Sequence, residues 1–209
     1  MSKAANRWQQ SQAVERETGK RLHRIVNMSN PHEQRAVLAK LRRGVGRQPG
    51  EVPELWAIML EDLPEDMQSV RVPEPSREEW AIHIALTLYA LHQQGKDVKR
   101  EPMHQKGIGL GSAARQLAAK QPGDFIDNRE RVARRFNKAA MADSMAEMEH
   151  YLRGFVQLLR ANAVALDYET LAGDLYRVQF EDFKGNVRLR WGEDFYAGSA
   201  EDKEDADNA

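Results

Sequence analysis

The sequence predicts an all-α protein, on three observations. Apolar residues recur at helical spacing along nearly the whole chain, and capping signals punctuate the pattern. The Val/Ile/Thr alternation that strands need is scarce. With 209 residues, the chain suits one domain or two small ones and can bury a sizeable core.

A first helix is expected from Trp8 to Met28. Asn30 followed by Pro31 reads as an N-cap with proline at the first helical position. The helix it opens carries Val37, Leu38 and Leu41 and stops at Gly44. RGVGRQPG then forms a basic loop, and VPELWAIMLEDLP a short amphipathic helix ended by Pro64. Residues 64–75, with Pro64, Pro73 and Pro75, read as an extended loop. Ser76 and Glu79 make a capping box ahead of WAIHIALTLYALHQQG. That segment is apolar on almost every face until Gly95, which marks the buried central helix.

The polar stretch KDVKREPMHQK is the expected boundary. It divides the chain into an N-terminal helical subdomain (1–95), a linker (96–105), a C-terminal helical bundle (106–198) and a disordered acidic tail (199–209). Gly107, Gly109 and Gly111 open a short helix to Lys120, which QPGD breaks. The next helix, Asp124 to Ala140, puts Phe125, Val132 and Phe136 on one stripe. Its Arg131, Arg134, Arg135 and Lys138 share a neighbouring face at i, i+3, i+4 and i+7. Ser144 with Glu147 reads as a second capping box. It starts a helix with the stripe Met145, Met148, Leu152, Phe155, Val156 and Leu159, flanked by Arg153 and Arg160. Asp167 caps a helix through Phe180, and NVRLRWGEDFY is ambiguous.

Several chemistries drop out. The chain has no cysteine, so disulfides and thiolate metal sites are excluded and a reducing, cytoplasmic setting is expected. No apolar run approaches the roughly 20 residues of a membrane span, and the N-terminus lacks the apolar core of a signal peptide. The glycines follow G-x-G-x-G with no preceding strand and no Lys-Ser/Thr after them, so neither dinucleotide fingerprint nor P-loop is present. Two roles stay open for them: close helix packing, or a helix N-terminus that seats one phosphate with Lys106 and Arg115. Glu147 and His150 give a single Glu-x-x-His, whereas a di-iron bundle needs two such units and further glutamates. His83 reads as a core histidine bonded to a backbone carbonyl. No serine lies in a nucleophile elbow, so no reaction, metal or cofactor is expected.

Charge carries the functional signal. The net charge of −1 hides segregation: eight Lys/Arg face Glu33 alone between Lys20 and Gly50, and eight face three acids between Lys106 and Lys138. Nine acids oppose two arginines between Glu51 and Glu79. Arg42, Arg43 and Arg47 crowd one helix end and loop. Arg129, Arg131, Arg134, Arg135 and Lys138 stud one helix, with Arg153 and Arg160 on the next. Guanidinium forks suit phosphate oxygens. No turn–recognition-helix pair offers base readers, so backbone contact without sequence reading fits this pattern.

The ordered series LAKLRRGVG, Trp56, ALTLYALHQQG, GIGLGSAARQL, RERVARRFNKA, YLRGFVQLLR and LDYETLAGDL resembles the CasB family, the small subunit of the type I-E CRISPR complex Cascade. The resemblance spans Leu38 to Tyr196. It implies a non-enzymatic protein of two packed helical bundles in one compact, elongated subunit. Its implied partners are crRNA, target DNA, other Cascade subunits and a second copy of itself. Its implied role is to hold the R-loop and displaced strand through basic residues. Matching positions are Arg42, Arg43, Arg77, Arg131, Arg134, Arg135 and Arg153. Many relatives carry a basic residue where this chain has Ser112, and Arg115 follows one turn later. Two alternatives remain: a structural adaptor for acidic proteins, and a helical DNA-binding regulator.

Overall fold

The structure, a computed structural model, describes residues 3–69 and 74–197. The acidic tail and the centre of the proline-rich loop lie outside them. The described residues form nine helices: α1 (Lys3–Val26), α2 (Pro31–Arg43), α3 (Trp56–Leu60), α4 (Arg77–His92), α5 (Leu110–Lys120), α6 (Phe125–Met141), α7 (Met145–Ala161), α8 (Tyr168–Arg177) and α9 (Glu181–Tyr196). Short 3-10 turns span Pro53–Leu55 and Glu65–Met67. The all-α expectation holds, and the only β pairing among the described residues is an isolated bridge between His104 and Leu166.

The core is built around α4. Its capping box is complete: the Glu79 N–H donates to Ser76 Oγ at 2.9 Å, and the Ser76 N–H donates to Glu79 Oε2 at 2.7 Å. Every residue from Ala81 to Gln93 is buried. A helix apolar on all sides needs neighbours on all sides, and α1, α2, α7 and α8 supply them. His92 is fully buried, with Nδ1 2.9 Å from the Tyr168 hydroxyl of α8. Burial pushes its pKa down to about 3, so the ring is neutral.

The same core continues where α5 packs on α6 and α9. The Phe136 ring of α6 lies 5.3 Å from Phe195 and 6.5 Å from Trp191, centroid to centroid. Burying each such side chain contributes on the order of 2–3 kcal/mol. Gly111 sets the approach of α5 to α9. A Cβ there would lie 2.1 Å from the Trp191 carbonyl oxygen, so only hydrogen fits.

The α1, α8 and α9 helices meet at a buried charge network. Asp174, 1% exposed, accepts from Arg177 Nη2 at 2.5 Å, from Trp191 Nε1 at 2.7 Å and from Arg190 Nη2. The buried Arg177 in turn donates to Ser11 Oγ at 3.1 Å and lies 3.4 Å from Glu15.

Several local expectations differ from the structure: the helix expected through Phe180 ends at Arg177, and Phe180 takes the N-cap position of α9. The first helix starts at Lys3, five residues early, because its polar first turns still continue the helical ladder. The 53–64 helix splits into a 3-10 turn and the short α3, since Glu61 turns extended and Asp62 takes a φ of +56°. Ser144 caps α7, but Glu147 reaches the Asp143 N–H rather than that of Ser144, so the box is displaced by one residue. The ambiguous NVRLRWGEDFY lies within α9, which buries Val187, Trp191 and Phe195.

Candidate nucleic-acid interface

Asp124 opens α6 by accepting from the Ile126 and Asp127 N–H groups at 2.8 and 3.0 Å. The helix then buries Asn128, Val132, Phe136 and Ala139, spaced by three or four residues, and this fixes its roll. Arg131, Arg134, Arg135 and Lys138 are left exposed and line one groove of about 530 Å³ with Gln121 and Leu158. Little neutralises them. Arg134 has Glu130 at 3.9 Å with both side chains 69% exposed, a pair of the kind worth about 0–1 kcal/mol. Arg131 bonds the neutral Asn128 side chain, whose amide is anchored on the Gln121 carbonyl at 2.9 Å. Among the described residues, Arg135 and Lys138 make no ion pair. Arg129 faces elsewhere, between the Phe125 and Tyr196 rings at 5.7 and 5.6 Å.

A second basic surface joins α2, the loop after it, and α7. His83 of α4 lies 3.0 Å from the Gly44 carbonyl, the role expected of a core histidine, and burial pushes its pKa down. From the other side, the Gly46 N–H donates to Glu149 Oε1 of α7 at 2.7 Å. Glu149 is 2% exposed; burial pushes its carboxyl up, while the Gly46 N–H and nearby Arg153 pull it back. The loop that carries Arg47 is thus held between two helices, beside the exposed Arg153. Arg42, half-buried, has its pKa lowered by burial and by Arg160. Arg160 in turn bonds Gln94 Oε1 at 2.7 Å. Arg43 pairs with Glu54 at 2.6 Å on the surface.

Sequence reasoning missed Glu149, because its bond to Gly46 crosses 103 residues and leaves no local pattern. Replacing it with alanine is expected to free the loop. Hydrogen exchange at the Gly46 amide should quicken at least tenfold, since a hydrogen bond to a charged group is worth about 1.5–3 kcal/mol. Glu149→Gln keeps an acceptor and should keep most protection. Unchanged exchange in the alanine variant would show that His83 holds the loop alone.

The remaining residues lie apart. The Arg77 guanidinium stacks 4.4 Å over the Phe180 ring, beside Arg7 at 4.3 Å. Lys106 and Arg115 turn to different partners. Lys106 pairs with Glu169 of α8 at 3.0 Å, and Arg115 reaches the Ala197 carbonyl at 3.3 Å. At the α5 N-terminus the side chain nearest Gly109 and Gly111 is that of Asp194, which brings its carboxylate to Gly109 and its Cβ to Gly111. Among the described residues, no group of three His, Cys, Asp or Glu side chains could hold a metal ion, and no helix is long and apolar enough to cross a membrane.

Comparison with known proteins bears on what these surfaces serve. The model of the CRISPR-associated protein Cse2 family matches residues 37–196. The crystal structure of CasB from Thermobifida fusca aligns with a TM-score of 0.67 at 33% identity, over 90% of this chain and 97% of that one. A Cse2-family CRISPR-associated protein from Thermus thermophilus aligns with a TM-score of 0.62 at 23% identity, over 88% and 98%; it supports the fold. A search of curated proteins finds no match. The family model covers most of the chain and the fold agrees over nine-tenths of it, so the chain belongs to the Cse2 family of CRISPR-associated proteins, the CasB small subunit that associates with the other subunits of type I-E Cascade.

Proposed function

We propose that this subunit is non-enzymatic and gives Cascade cationic walls for sequence-independent contact with nucleic-acid backbone. It works in the cytoplasm beside a second copy of itself, along the path of crRNA and target DNA. Exchange of a DNA duplex for a guide–target heteroduplex is nearly balanced, so modest backbone contacts tip it towards the open R-loop. The observation that carries this reading is the α6 groove, where four cations share one exposed face with a single weak ion pair. A fold gains nothing from concentrating like charges there, whereas a phosphate chain does. The α2–α7 surface adds Arg42, Arg47, Arg153 and Arg160 around a clamped loop.

The test is a salt titration of the full chain with single- and double-stranded oligonucleotides of two unrelated sequences. Each single-strand phosphate contact should add about −0.7 to the slope of log K against log salt. Both sequences should bind alike. A flat salt dependence would overturn the reading in favour of a protein adaptor, and strong preference for one sequence would favour a regulator.

A further inference from the structure

Lys106 belongs to the glycine-rich stretch, yet the fold carries it to a groove on α1. Arg16, Lys20, His23 and Asn27 follow one another at i, i+4, i+7 and i+11 and form one wall of that groove, about 750 Å³ in volume. His104, Gln105 and Lys106 form the other wall. Gly19, Leu22 and Val26 lie between them. None of these residues lines the α6 groove. The wall supplied by α1 also lies outside residues 37–196, the span matched by the family model.

The loop that presents Lys106 is fixed in place. The Gly107 N–H donates to Asp167 Oδ2 at 2.8 Å, the Gln105 N–H to the Leu166 carbonyl at 3.2 Å, and the Tyr168 N–H to His104 Nδ1 at 3.2 Å. Glu169 lies 3.0 Å from Lys106 Nζ and 3.4 Å from His104 Nε2. Gly19 makes room for it, because a Cβ there would lie 2.8 Å from the Glu169 carboxyl carbon. Glu169 therefore positions Lys106 against α1, and the lysine side chain is still 75% exposed.

The groove is net positive. Arg16 is exposed and has no ion pair among the described residues. Lys20 is 67% exposed, and its partner Glu17 is buried and shared with Arg21. Along α1, four residues advance about 6 Å. Arg16 and Lys20 thus step on the scale of successive phosphates in a nucleic-acid strand, and the half-buried Val26 adds a small apolar surface beside them.

We propose that α1 and the 104–106 loop form a second groove for a phosphodiester strand, separate from the α6 groove; this rests on the reading of the chain as a binder of nucleic-acid backbone. The test uses the full chain carrying Arg16→Ala and Lys106→Ala, a single-stranded oligonucleotide, and a poly-glutamate peptide as second probe. At about 0.1 M salt each single-strand contact is worth roughly fivefold, so affinity should fall about 25-fold and the salt slope should become less negative by about 1.4. Arg16→Lys with Lys106→Arg should retain wild-type binding. An unchanged slope in the alanine variant, while the α6 groove still contributes, would overturn this proposal alone. A wild-type chain without salt-dependent binding would overturn the functional reading itself. Loss of poly-glutamate binding with oligonucleotide affinity intact would overturn the proposal in favour of an acidic protein partner.

Discussion

Alanine at Arg131, Arg134, Arg135 and Lys138 together is expected to abolish most oligonucleotide binding. If each cation meets one phosphate of a single strand, the loss is roughly fivefold apiece near 0.1 M salt, or about 600-fold in all. The salt slope should become less negative by about 2.8. The fold should survive. All four side chains are exposed, and α6 holds its place through Val132, Phe136 and Ala139 instead. Alanine is the best helix former, so helix content should stay level or rise slightly. Arg131 gives up a bond to Asn128, but Asn128 keeps its own bond to the Gln121 carbonyl. Fluorescence anisotropy across salt gives the binding result, and circular dichroism the folding control. Wild-type affinity in this variant would move the function to the α2–α7 surface or to protein contacts. Loss of helix would show that the four residues support the core.

The elements that proved legible are those whose signal repeats every three or four residues. The apolar run of α4 has no polar face, and its capping box lies within four residues of sequence. The cationic face of α6 follows from the same period, because burying Val132 and Phe136 dictates where Arg131, Arg134 and Arg135 point. What stayed hidden depends on distant pairs. Excluding nucleotide motifs left two roles for the glycine run, and only the Trp191 carbonyl, 80 positions away, shows Gly111 in close helix packing. The α9 helix hides because its buried line, Val187, Trp191 and Phe195, is one residue wide amid arginines and glycines. Lys106 illustrates the limit for the site. Its charge was evident, but the groove it serves is made by α1 and by Glu169, which no local pattern connects to it.

The largest expected loss of stability comes from Asp174→Ala. The buried carboxylate serves Arg177, Arg190 and Trp191 Nε1 at once. Removing it strands the Arg177 guanidinium, itself 3% exposed, and orphans the indole N–H. Breaking one partner from a buried pair costs about 3–5 kcal/mol, a large share of a typical domain's stability of about 5–15 kcal/mol. Some compensation is available. Glu15 lies 3.4 Å from Arg177, and burial together with the Asp174 charge now raises its carboxyl pKa. With Asp174 gone, Glu15 can ionise more readily and take over part of the role, so Asp174→Ala with Glu15→Gln should fall further than the two single losses added. Urea unfolding of the three variants measures this, and a midpoint within error of wild type for Asp174→Ala would sink the account. The same variant separates stability from binding. None of the atoms lost faces the α6 groove, so at temperatures where the protein stays folded its salt slope should match wild type. A shallower slope would mean that Trp191, once released, lets Phe136 shift and carries the α6 cations out of line.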